Sequence, residues 1–235
     1  MNSNKLEYYY KELPKTLAPD DYWGQVRRTV QGKPVSDEQI RMIVEAIKTN
    51  MDLNSSDSLL DIACGNGALS SYFFDTCKEY LGVDFSEYLI EVGKKNFERL
   101  PAFEFRVGEA VEYTLTEKQP ERFTKALCYG SFSYLTSDNA HTMLNALNQR
   151  FTNLNLIYIG NLPDKERANL FYPYGTDFTA QLDDPYAPVG IWRSKEEFSL
   201  LATRSGWKVK EFFQMPKEFY ASHYRFDVLL VRKDK

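Results

Sequence analysis

The stretch LLDIACGNGALS, residues 59–70, constrains this chain more than any other. A short apolar run carrying one acid, Asp61, leads into two glycines, Gly65 and Gly67, one residue apart. Such a run entering a glycine turn predicts a buried strand that hands over to a helix. Glycine lacks a side chain, so the backbone there can approach a ligand closely. In an open α/β sheet that turn lies beyond the carboxyl end of a strand, where the ligand crevice forms. The spacing then selects among ligands. A dinucleotide fingerprint reads G-x-G-x-x-G, and Ser70 occupies its third glycine place; no G-x-x-x-x-G-K-[ST] phosphate loop is present. A nucleotide cofactor without phosphates needs neither feature.

The alternation continues downstream. Apolar runs predict strands at 58–62, 80–83, 103–107, 125–129 and 154–160, with helices at about 68–75, 86–97 and 138–151. Two further runs, WKVKEFFQ (207–214) and YRFDVLLVR (224–232), read as strands joined by a short loop, hence an antiparallel pair. The expected fold is α/β: a Rossmann-like, mainly parallel, seven-stranded sheet with helices on both faces, a terminal antiparallel strand and an N-terminal helical cap. Residues 1–50 form that cap, within the same domain as 51–235. In it Leu6, Tyr9, Tyr10 and Leu13 share one helical face that ends at Pro14. Asp20 or Asp21 caps a second helix through YWGQVRRTV. Ser36 opens a third, with Ile40, Ile43, Val44 and Ile47 inward and Gln39 completing a capping box. Residues 161–192 form an irregular insertion containing Pro163, Pro173, Pro185 and Pro188 among several aromatic residues. Long ordered loops in compact domains are disproportionately functional.

Charge and composition narrow the function. The chain of 235 residues carries a formal net charge of −4, against the large basic footprint of a nucleic-acid binder. It contains no apolar run of membrane-spanning length and no signal-peptide pattern at its start, so a soluble cytoplasmic protein is expected. Three scattered cysteines and two histidines, His141 and His223, offer no metal-ligand spacing, and no metal is expected. Aromatic residues are 15% of the chain, and those outside the strands are placed to line a pocket.

Acids and aromatics fall at the predicted strand ends. Asp84 closes the second strand (EYLGVDFS), where a carboxylate can accept both hydroxyls of a ribose. Glu109 follows the third strand and can meet an adenine edge, and Tyr129 closes the fourth before Gly130-Ser131-Phe132.

LDIACGNG, GVDFS, GEA and CYGSFSYL, in that order, resemble the motif series of class I S-adenosylmethionine-dependent methyltransferases, over about residues 35–232. The resemblance implies S-adenosyl-L-methionine as cofactor and S-adenosyl-L-homocysteine as product. It implies that Asp61, Gly65 and Gly67, with Ala63 and Asn66 of the same turn, shape the methionine side of the pocket. Asp84 would bind the ribose, Phe85 and Ser86 would lie beside it toward the adenine, and Glu109 and Ala110 would lie at the adenine edge. Ala63 stands where the family usually has its first glycine, and Glu109 where Asp is more frequent.

Methyl transfer from a sulfonium disperses charge, so a dry aromatic pocket that aligns the acceptor favours it. Trp23 is expected to cover the cofactor, and Arg28, or Arg27, to pair with its carboxylate. Oxygen or nitrogen acceptors lose a proton, and His223, ahead of the last strand on the crevice side, is the candidate base; His141 reads as a surface or capping residue. Tyr134 is a second catalytic candidate, and Ser131, Phe132, Asn161, Tyr172, Tyr174 and Tyr224 are candidates for holding the substrate. YWGQVRRT, IGNLPDKER and IWRSKEEF resemble stretches of bacterial methyltransferases acting on sugars or surface-polysaccharide precursors. A small-molecule partner is therefore expected, without nucleic acid or membrane, in a monomer or homodimer. Rival readings are a methyltransferase of another metabolite, a cofactor-binding module without transfer chemistry, and a dinucleotide oxidoreductase. A nucleic-acid methyltransferase would be expected to show an N/D-P-P-[YF] motif, which is missing.

Overall fold

Strands that are apolar on both faces need helices on both faces, and the central strands of this chain are buried almost end to end. A computed structural model describes residues 6–233. Its main sheet comprises β1 (Ser58–Ile62), β2 (Glu79–Asp84), β3 (Phe103–Val107), β4 (Lys125–Tyr129), β5 (Leu156–Pro163), β6 (Trp207–Phe213) and β7 (Arg225–Arg232). The spatial order is β3-β2-β1-β4-β5-β7-β6. The first five strands are parallel, and β7 runs antiparallel between β5 and β6. The chain reverses direction across the sheet between β1 and β4, which opens a crevice at their carboxyl ends.

Period-two alternation sorts the strand residues into two cores. Leu59, Leu127, Tyr158 and Leu229 pack beneath α1 (Asp37–Met51) and α2 (Glu87–Asn96). Leu60, Ile62, Cys128, Ile159 and Val228 pack on the other side with α3 (Ala110–Thr116), α4 (Ser137–Arg150) and α5 (Lys195–Arg204). Each such side chain contributes about 1.5–3 kcal/mol on burial. α1 buries Ile40, Ile43, Val44, Ile47 and Met51 on one stripe, with Asp37 and Glu38 in its first turn and Lys48 in its last to complement the helix dipole.

Four local expectations are corrected. The helix expected at 68–75 is reduced to a single 3₁₀ turn, Ser70–Phe73. There the hydroxyls of Ser70 and Ser71 bond to the Asp61 carboxylate and the Ala68 carbonyl, diverting the segment from a regular helix. The second N-terminal helix stops at Gln25, capped by Asp21, whose Oδ1 accepts from Gly24 N at 2.8 Å. Arg27 then takes a positive φ of 55°, and Thr29–Val30 pairs with Lys33–Pro34 as a hairpin. Both residues of its turn, Gln31 and Gly32, have positive φ, the geometry that suits a two-residue hairpin loop. The capping box on α1 is only half formed. Ser36 accepts from Gln39 N, but the Gln39 side chain donates to the Glu218 carbonyl at 2.9 Å and accepts from Tyr220 N at 2.8 Å. Lastly, β6 and β7 are joined by the eleven residues 214–224 instead of a short loop.

Residues 164–194 fold back on the sheet as short 3₁₀ turns around buried Trp192. Phe171 and Tyr172 pack on Trp192 at 5.6 and 5.7 Å, and Tyr172 stacks on Phe178 at 4.7 Å. Ile191 N donates to the Ser133 carbonyl (2.7 Å) and Arg193 to the Leu135 carbonyl (2.8 Å), fixing the insertion to the loop after β4.

Candidate active site

Three positive φ values follow β1 in quick succession, at Ala63 (60°), Gly65 (60°) and Gly67 (74°). They turn the backbone across the end of β2. Asp84, the last residue of β2, holds that turn: its Oδ2 accepts from Gly65 N and its Oδ1 from Ser86 N, each at 2.9 Å. Each oxygen keeps a lone pair free for a further donor. Burial pushes the Asp84 carboxyl up to about 6, against the pull of those two bonds, and the Glu109 charge adds to the rise. Asp61 is likewise raised to about 6 by burial, though Ser70 and Tyr80 donate to it.

The N-terminal segment closes over this turn. Asn66 donates to the Tyr22 carbonyl (2.9 Å) and to Gln25 Oε1 (3.0 Å). Arg28 lies 5.6 Å from the Trp23 ring and 5.4 Å from the Tyr129 ring. Ser86 donates to the Tyr10 carbonyl at 2.6 Å, and the Tyr10 ring meets Phe85 and Tyr134 edge-on at 6.4 and 6.1 Å. Tyr10, Trp23, Arg28, Asn66, Phe85, Tyr129 and Tyr134 line a cleft of about 630 Å³, a size suited to a small molecule.

Of the residues expected at a cofactor, Asp61, Ala63, Gly65, Asn66, Asp84, Phe85, Glu109, Ala110, Tyr129, Trp23 and Arg28 line this cleft. Gly67 and Ser86 do not. A Cβ on Gly67 would stand 2.2 Å from the Phe105 ring, so its glycine serves packing beneath the turn. Ser86 caps α2, accepting from Leu89 N at 3.4 Å.

The residues expected to hold a substrate are divided between the cleft and other places. Ser131, Tyr134, Asn161 and Tyr224 line the cleft, beside Phe171, Tyr186, Tyr220 and Arg225. Four expected residues lie elsewhere. His223 is exposed, its ring 4.8 Å from that of Tyr224, and it faces away while Tyr224 faces in. A base outside the cleft reaches no bound acceptor, so the geometry removes His223 from that role. Phe132 is buried against Phe198 at 5.5 Å, Tyr172 is taken up by Phe178 and Trp192, and Tyr174 is fully exposed. His141 bonds through Nδ1 to Ser205 Oγ at 2.9 Å, on the far side of α4.

Tyr10, Tyr220 and Arg225 had not been singled out for the site. Tyr10 belongs to the apolar face read at residues 6–13 and Arg225 directly follows the expected Tyr224, whereas Tyr220 lies in the connection between β6 and β7, where no regular pattern marks it.

Comparison with known proteins adds the following. Residues 59–152 match a family described as a methyltransferase domain. An uncharacterized methyltransferase of Schizosaccharomyces pombe is 29% identical over 79 residues, 33% of this chain and 28% of that protein. A probable cobalt-precorrin-6B C(15)-methyltransferase of Methanocaldococcus jannaschii is 30% identical over 82 residues, 35% of this chain and 41% of that protein. The chain thus spans less than half the length of these curated relatives. Magnesium protoporphyrin IX methyltransferase of Synechocystis PCC 6803, crystallised with bound S-adenosylhomocysteine, superposes with a TM-score of 0.63 at 14% identity. The match covers 98% of this chain and 100% of that one, a likeness of fold.

Proposed function

We propose that this chain, whose residues 59–152 match a methyltransferase-domain family, is a class I S-adenosylmethionine-dependent methyltransferase that acts on a small-molecule acceptor. The observation that carries the reading is Asp84. Its carboxylate faces the cleft at the end of β2, held by Gly65 N and Ser86 N with acceptor capacity left on both oxygens. A vicinal diol is the group such a carboxylate fits, and Phe85, Glu109 and Ala110 line the adjoining wall where a base would stack and bond.

The remaining residues divide the work. Arg28, beside Trp23 and Tyr129, would pair with the cofactor carboxylate, and Asp61 and Ala63 line the neighbouring turn. When bound, the cofactor supplies an electrophilic methyl group on a sulfonium. Tyr10, Trp23 and Tyr134 would exclude water, which otherwise stabilises the charged ground state. Neither described histidine lines the cleft, and Tyr134, whose OH donates to the Pro188 carbonyl at 3.3 Å, would orient the acceptor. For the acceptor we favour a sugar or surface-polysaccharide precursor, methylated on oxygen or nitrogen. Aromatic walls and scattered polar groups suit a hydroxylated molecule, and the net charge of −4 weighs against nucleic acid.

Incubation with methyl-labelled cofactor and a panel of nucleotide sugars, phosphorylated metabolites and amines tests this directly. Labelled product by mass spectrometry is expected. Cofactor binding without any product would favour a binding module, and absence of cofactor binding would sink the reading.

Proton linkage gives a second test. A ribose bonded to Asp84 requires the anion, whereas the free carboxyl takes up its proton at about pH 6. Affinity for S-adenosylhomocysteine should therefore fall about tenfold between pH 7 and pH 5. Asp84→Asn should bind weakly and with a flat profile over that range, as read by calorimetry. The free chain shows the opposite trend for these groups. Asp61, Asp84 and Asp227 hold protons more tightly folded than unfolded, so their contribution to stability declines as pH rises from the usual carboxylate range through about 6.

A further inference from the structure

The acceptor half of the cleft contains a cation, Arg225, that forms no salt bridge among the described residues. Arg225 opens β7 and pairs in register with Pro163, the last residue of β5, where its side chain lines the cleft. Its Nη1 donates to the Asn161 carbonyl, while its buried Nε has no hydrogen-bond partner among the described residues. The carboxylate two residues along the strand, Asp227, is already engaged, accepting from Asn161 N at 2.6 Å and Tyr158 OH at 2.5 Å. The guanidinium instead lies 5.0 Å from the Tyr224 ring, with Tyr220 beside it in the cleft. Leaving a buried guanidinium edge unmatched is costly, since charged donors lose the most when desolvated without an acceptor.

Two more buried polar atoms at the cleft lack partners, Asn161 Oδ1 and Tyr129 OH. Asn161 sits at φ +65° in the irregularity where β5 and β7 lose register between Ile159 and Leu162. A non-glycine residue held in the left-handed region at a strand bulge is characteristic of sites where a side chain is aimed at a ligand. The unmatched groups thus comprise a cationic donor, an amide acceptor and a phenol, on three residues that all line the same cleft.

Resting on the methyltransferase reading, we propose that the acceptor carries an oxyanion, a carboxylate or a phosphate, which seats on the Nε edge of Arg225 while a hydroxyl or amine of the same molecule donates to Asn161 Oδ1. A guanidinium edge presents two N–H groups in the spacing of two oxygens of either anion, a match that an ammonium does not reproduce. Arg28, between Trp23 and Tyr129, serves the cofactor half, so the two cations answer to two different ligands.

The test uses the full chain saturated with S-adenosylhomocysteine, titrated by calorimetry with benzoate, phenyl phosphate, glucuronate and glucose 1-phosphate, and with benzyl alcohol and glucose as neutral counterparts. At least one charged probe should bind about tenfold or more tighter than its neutral counterpart. Whether the carboxylates or the phosphates lead identifies the anion. Arg225→Gln should abolish the preference and Arg225→Lys retain part of it, with affinity for S-adenosylhomocysteine within about twofold of the parent in both, which also certifies folding. No preference for any charged probe, or a preference that survives Arg225→Gln, overturns the inference and leaves the methyltransferase reading standing. So does an equal loss of cofactor and oxyanion affinity in Arg225→Gln. A parent chain that fails to bind S-adenosylhomocysteine at all overturns the methyltransferase reading itself.

Discussion

Asp84→Ala should weaken binding of S-adenosylhomocysteine at pH 7 by about a hundredfold or more, because two hydrogen bonds to a charged acceptor, each worth about 1.5–3 kcal/mol, are lost together. The same substitution strips Gly65 N and Ser86 N of their acceptor, so the turn that cradles the ligand loosens as its main anchor disappears. The fold should nevertheless survive. The carboxyl is buried and raised to about 6, so its removal also relieves a desolvation cost that partly offsets the two unmatched amides. Calorimetry on Asp84→Ala and Asp84→Asn separates the contributions, since the amide keeps one acceptor oxygen but no charge. Unchanged affinity in the alanine variant would remove Asp84 from the cofactor site.

Gly190→Ala should damage acceptor use far more than cofactor binding. Gly190 has φ +74°, and a Cβ there would stand 2.5 Å from the Ser133 carbonyl oxygen and 2.7 Å from its carbon. Backbone atoms cannot rotate away as a side chain could. The insertion must therefore lift off the loop after β4 and break the bond from Ile191 N to Ser133. Left-handed strain of about 1–2 kcal/mol and overpacking of about 1–3 kcal/mol together predict a melting temperature lower by about 5–15 °C. Pro188 and Val189 line the acceptor side of the cleft, so KM for the acceptor should rise about tenfold or more while cofactor affinity stays within about twofold. Equal losses of both would mean that the insertion supports the whole domain instead of one ligand.

Regular structure was readable in the chain because its signals are local. The strands that became β1 and β4 are apolar on both faces, and their predicted limits match the observed ones. The glycine turn and Asp84 were readable for the same reason, since a strand end fixes which residue reaches the crevice. Irregular segments gave position without phase. His223 and Tyr224 were both expected at the cleft, yet both lie in the irregular 214–224 connection, where no period assigns a face, and of the two only Tyr224 lines the cleft. The pair Phe171 and Tyr172 is inverted similarly, the first lining the cleft and the second stacked away from it. Arg225 lies more than 150 residues beyond the glycine turn and reaches the cleft only because β7 inserts antiparallel beside β5. The hairpin at 29–34, which takes the end of an expected helix, was not legible because Gln31-Gly32 is a weaker turn signal than Asn-Gly or Asp-Gly.

Gln39 couples places that share no ligand. Its side-chain amide grips the main chain at Glu218 and Tyr220, so α1 helps to set where Tyr220 lies in the lining of the cleft. On the proposed function, substrate preference would therefore be heritable at a distance: a change on a buttressing helix, touching no reactant, would surface as a shifted choice of acceptor, while the grip on the methyl donor stayed the same.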